Sequence, residues 1–101
     1  MNYAAAAARL SDELHPSRPL LPEELLWVEV LARAVLDARG ERTSGFAGSR
    51  TAEHRDETKR YRQRAALVWL RAKDRRHIGG CGWICDSLGI DDGLPLRLVR
   101  T

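Results

Sequence analysis

The chain has little sulfur, few aromatic rings and no long apolar run. There are two cysteines, one methionine and one phenylalanine in 101 residues. Two cysteines without an export signal point to the cytoplasm and to reduced thiols. The segment "NYAAAAARL" lacks a basic region before its alanines and a bulky Leu or Val stretch, so it does not read as a secretion signal. The longest apolar stretch is broken by Glu29 and Arg33 and falls short of the about 20 residues a spanning helix needs. With 44% apolar residues, the chain is not disordered in composition either. No internal repeat is present.

The length, 101 residues, suits one domain over residues 1–101 with one core. The charge is uneven along it. Residues 1–50 hold six Arg against seven acids, and residues 51–101 hold eleven Lys and Arg against seven acids. A pI near 9.3 with the basic excess in the second half permits a polyanionic partner, of which nucleic acid is the commonest.

Five helices are expected, at roughly 2–14, 22–39, 52–77, 81–88 and 93–100, with a loop at 40–51. Asn2 can cap the first, and its alanines have the best helix propensity. "HPSRPLLPEE" is a proline-punctuated connector that places Pro22 at a first helical position, with Glu23 and Glu24 at the positive end of the helix dipole. Gly40 supplies the stop of that second helix. Glu29, Arg33 and Asp37 form its only polar stripe, with Leu26 and Val30 beside it. A helix so nearly apolar all round is either central in the fold or covered by a partner. "GERTSGFAGSRT" reads as a polar loop in which Phe46 is either a core anchor or an exposed recognition residue.

The third helix carries Tyr61, Ala65, Val68, Trp69 and Ala72 at helical spacing, a stripe expected to face the core, with Leu67 and Leu70 on the opposite side. The others are expected to pack around this helix. Its cations divide into two flanks, Arg55, Lys59, Arg62 and Lys73 on one and Arg60, Arg64 and Arg71 on the other. Either their stems cover the edges of a buried stripe or their heads contact phosphates.

Gly79 and Gly80 are expected to end the third helix. Cys81, Ile84, Cys85 and Leu88 then fall on one face of a two-turn helix. Gly89 can take the left-handed position of a Schellman stop, with Ile90 packing back on the helix it leaves. A helix-turn-helix pattern asks for apolar residues five before, one before and one after the turn Gly, and a small residue four before it. Ile84, Leu88, Ile90 and Cys85 meet those requirements. Pro95 stands where the second helix should place an apolar residue, and it fits only near a helix start. That helix leaves Arg97 and Arg100 as the charges available to DNA.

"WICDSLGID" with the preceding "RAALVWLRAKDRRH" resembles small uncharacterised helical proteins encoded by prophages and other mobile elements of bacteria. The resemblance covers about the last forty residues and ends at "DGLPLR", where Gly93 and Pro95 replace a longer helical run. It implies a phage-type or accessory-gene context and brings no catalytic residues.

His77, Cys81 and Cys85 offer three zinc ligands where a structural site takes four, unless His54 or Asp86 supplies the last. Core packing explains the two cysteines better, and i,i+4 spacing in a helix suits a disulfide poorly. Neither a phosphate-binding loop nor a Cys-His nucleophile with an orienting group can be assembled from His15, His54 and His77. No cofactor, metal or small-molecule substrate is expected, and the chain does not read as an enzyme.

The sequence therefore predicts an all-α bundle with a helix-turn-helix-like end and a regulatory, non-enzymatic role. DNA contact would run through Lys59, Arg62, Arg97 and Arg100, on phosphates more than on bases. The alternative is a protein-interaction module, such as a phage-encoded modulator of a host enzyme, or a homodimer, using Leu26 and Val30.

Overall fold

The computed structural model describes residues 3–14, 20–40 and 52–100. They form an all-α fold of five helices: α1 (Tyr3–Leu14), α2 (Pro22–Ala38), α3 (Ala52–Ala72), α4 (Cys81–Leu88) and α5 (Leu94–Arg100). Phe46 and the loop around it lie outside the described residues. No helix among those described is long and apolar enough to cross a membrane.

The start of α2 follows from its sequence. Pro22 occupies the first helical position, and the Leu21 N–H donates to Glu24 Oε1 at 2.9 Å, so the proline ring and a first-turn carboxylate together fix the entry. Arg39 closes the helix, and Gly40 turns the chain away with φ of 76°. Between these ends α2 buries Val28, Leu31, Ala32, Val35, Leu36 and Ala38. It packs against all four other helices, so α2, and not the long basic α3, is the centre of the fold. Ala6 and Leu10 dock α1 on this centre.

The buried face of α3 is a correction to the expected one. Tyr61 is 74% exposed and Val68 63%, and Ala65 and Ala72 also face outward, while Trp69 is half-buried. The core instead receives Ala66 and Leu70, with Gln63 and Leu67 half-buried beside them. One polar tie and one small side chain hold this face inward. Gln63 Nε2 donates to the Ala38 carbonyl at 3.1 Å, satisfying one of the acceptors that the end of α2 leaves unpaired. Ala66, the smallest apolar residue available, allows the two backbones to come close.

The end of α3 is a second correction. The helix stops at Ala72 and not at His77, because Lys73 takes φ of 48° in the left-handed region. Residues 73–80 then run back over the start of α4. The Trp83 N–H, a donor that a helix start cannot satisfy internally, gives its hydrogen bond to the Asp74 carbonyl at 2.8 Å. This return requires glycine. A Cβ on Gly80 would lie 2.6 Å from the Asp74 carbonyl oxygen, and one on Gly82 would fall on the carbonyl of Lys73. Gly79 and Gly80 therefore end this strap rather than the helix.

Asp74 fixes the strap locally. Its Oδ1 accepts the Arg76 N–H at 2.9 Å, and its Oδ2 lies 2.9 Å from His77 Nδ1. The Arg76 N–H first, and His77 second, hold its carboxyl below the usual value of 3.8. A lowered carboxylate pKa contributes stability that is present above the unfolded value and lost as pH falls through the folded one. Wild type should therefore lose more stability than Asp74→Asn between about pH 5 and about pH 2.5, read as urea midpoints. Parallel losses in the two proteins would remove Asp74 as the group responsible.

The turn after α4 is as the sequence predicts. Gly89 has φ of 72°, its N–H donates to the Asp86 carbonyl at 3.2 Å, and the Ile90 N–H donates to the Cys85 carbonyl at 3.0 Å. That pair of bonds is the Schellman stop, and Ile90 folds back into the core. The last helix starts at Leu94, one residue later than expected, with Pro95 in its first turn, and buries Leu94, Pro95 and Leu98.

Candidate functional site

The cations of the second half separate into two populations. Around the strap and the starts of α4 and α5, Lys73, Arg75 and Arg97 each have a carboxylate, while the exposed Arg76 has none within ion-pair distance among the described residues. Arg75 bridges Asp86 at 2.9 Å and Asp92 at 2.6 Å, Lys73 adds a longer pair to Asp92 at 3.9 Å, and Arg97 meets Asp91 at 2.9 Å. The Asp86 contact leads in holding the Arg75 guanidinium charged. Three aspartates thus match Lys73, Arg75 and Arg97, while Arg100 at the end of α5 has no carboxylate within ion-pair distance among the described residues.

The other population surrounds an open groove of about 420 Å³ between the end of α2, α3 and α5. Its lining combines Ala38, Leu67, Leu96 and Val99 with Gln63 and three arginines, Arg39, Arg71 and Arg100. Arg39 is part of its frame. Its Nη1 donates to the Leu98 carbonyl at 3.0 Å and to the Val99 carbonyl at 3.3 Å, gripping the negative end of α5. Arg71 and Arg100 are exposed at the rim. Lys59 stands beside Gly40, within 3.3 Å of where a Cβ there would lie, next to Gln63. Arg64 and Arg60 lie about two and three turns before Arg71 on the same flank of α3, at 100 degrees per residue. Among the described residues, no carboxylate lies within ion-pair distance of Lys59, Arg60, Arg64, Arg71 or Arg100.

Of the four cations expected to meet DNA, Arg100 alone lines this groove, and Lys59 stands outside its lining, beside Gly40. Arg97 lies with the aspartates. Arg62 lies toward α2, where its charge and that of Arg33 oppose the burial that raises the Asp37 pKa. Sequence reasoning missed Arg39 and Arg71 as neighbours of Arg100, because they come from three separate elements.

The two residues expected to meet a protein partner also separate. Leu26 is 52% exposed, close to Leu21 and Leu25 at the start of α2, which are exposed as well. Val30 packs against the core.

Cys81 and Cys85 are fully buried free thiols. The hydrogen bond between them lowers Cys81 and raises Cys85, and burial adds to the rise of Cys85. His77 turns to Asp74 on the surface. Among the described residues no group of three His, Cys, Asp or Glu could hold a metal ion. The side chains of His15 and His54 lie outside that set.

No protein family matches this chain, and neither the curated proteins nor the solved structures contain a match.

Proposed function

We propose that this protein is a non-enzymatic regulatory protein that contacts DNA through the groove side of α3, with Lys59, Arg60, Arg64, Arg71 and Arg100 on phosphates. The observation that carries this reading is the contrast between the two charge populations. Cations already matched by carboxylates gain little from a phosphate, whereas these five have no such competitor among the described residues. From Arg60 to Arg71 the flank runs eleven residues of helix, about 16 Å, long enough to pass several phosphates of a duplex strand. Contacts of this kind position a protein on DNA without reading its sequence. The short α5, with Arg97 tied to Asp91, suits base readout poorly.

The test is a labelled duplex titrated with the protein at several salt concentrations. Log K should fall with log salt by about 0.9 per phosphate neutralised. The double variant Arg64→Glu, Arg71→Glu should lower that slope by about two and weaken binding at low salt. Arg62→Glu is the poorer probe, since it also removes a countercharge from Asp37. Absence of binding at low salt, or equal slopes for wild type and double variant, would reject the proposal.

A further inference from the structure

The outer face of α3 is apolar and, among the described residues, uncovered. Tyr61, Ala65, Val68 and Ala72 follow one another at spacings of four, three and four, so they form one seam about 16 Å long. All four are exposed, opposite the face that meets α2. Half-buried Trp69 widens the seam at its C-terminal half. Such spacing is what a second helix needs to lay its own side chains into the gaps, and two alanines in the seam permit close approach.

The charges beside the seam select the occupant. Arg64 and Arg71 border it on one side and Arg62 on the other, with Arg60 one turn behind. Glu57, at the N-terminal end, is the only acid among the described side chains of α3. A second copy of this chain would set arginine against arginine along the seam. A nucleic acid duplex would meet the arginines but offers little to match Val68 and the alanines.

We infer that the outer face of α3 docks an acidic amphipathic helix of a partner protein, with apolar residues in the Tyr61–Ala72 seam and Glu or Asp on both flanks against Arg62, Arg64 and Arg71. The contact combines the helix-in-groove mode of recognition with charge pairing that excludes basic helices. It shares Arg64 and Arg71 with the DNA reading but rests on the apolar seam, and the experiment contains no nucleic acid, so the two fail separately.

The probe is a labelled, end-capped helical peptide about three heptads long, with leucine at its seam positions and glutamate at the flanks. Its twin carries lysine for every glutamate. Anisotropy against the full chain should show the acidic peptide bound and the lysine twin not bound. Val68→Asp should weaken binding by at least about tenfold, with the far-ultraviolet circular dichroism of the chain unchanged. Should Val68→Asp alter the fold, Arg64→Glu with Arg71→Glu provides the second test, with the preference moving toward the lysine twin. Leu26→Asp, on the exposed start of α2, should leave binding as it is. The proposal is overturned if neither peptide binds, if both bind alike, or if Leu26→Asp and not Val68→Asp abolishes binding. It is equally overturned if sedimentation shows a dimer that Val68→Asp dissolves, since the seam would then belong to a second copy.

Discussion

Replacing Leu70 with alanine should cost about 2–5 kcal/mol, while Val68→Ala, two residues away on the same helix, should change stability by no more than about 0.5 kcal/mol. Leu70 is 0% exposed and belongs to the core shared by α2, α3 and the shorter helices. Truncation there removes buried methyl groups and leaves a cavity whose lining loses its contacts. Val68 is 63% exposed, so its methyl groups are largely in water in both states. For a domain of this size, with about 5–15 kcal/mol in total, the first loss is a large share of stability. Each kcal/mol moves the melting temperature by about 4–8 °C, so thermal melts separate the two variants easily. Comparable losses, or a larger one at Val68, would place the opposite face of α3 in the core and dismiss the uncovered seam with it.

Gly82→Ala should destabilise the protein by about 1–3 kcal/mol, opposite in sign to the usual effect in a helix. Exchanging Gly for Ala inside a helix ordinarily gains up to about 1 kcal/mol, because alanine has less backbone freedom to lose. Gly82 lies within α4 and has no positive φ to relieve, so conformation alone would favour alanine. The opposing force is steric. The new methyl group would fall on the backbone carbonyl of Lys73, and backbone cannot swing aside as a side chain tip can. Accommodating it lifts the strap from α4 and stretches the 2.8 Å bond from the Trp83 N–H to the Asp74 carbonyl. Denaturant titration of the single variant decides the sign. An increase in stability would mean that the strap does not lie across α4.

These two residues also mark what could be read from sequence. The turn at Gly89 and Ile90 and the entry at Pro22 were legible because each depends on residues within a turn or two of itself. The inward face of α3 was not. Apolar residues occur on two of its faces, and periodicity detects a face without ranking it. The ranking comes from α2, where Gln63 finds the Ala38 carbonyl and Ala66 permits approach. The early stop of α3 was hidden for a related reason. "AKDRRH" contains nothing that breaks a helix, and the glycines that make room for the return lie at Gly80 and Gly82. The groove was the least legible part, since Arg39, Arg71 and Arg100 acquire a common environment only when three elements pack.

The grip of Arg39 on the Leu98 and Val99 carbonyls has a consequence for the stability of α5. A seven-residue helix cannot hold itself together in water, so α5 depends on a side chain 59 positions earlier in the chain. That dependence ties the stability of α5 to the presence of a folded α2. It also merges the two into one cooperative unit, whose amides open together rather than in sequence.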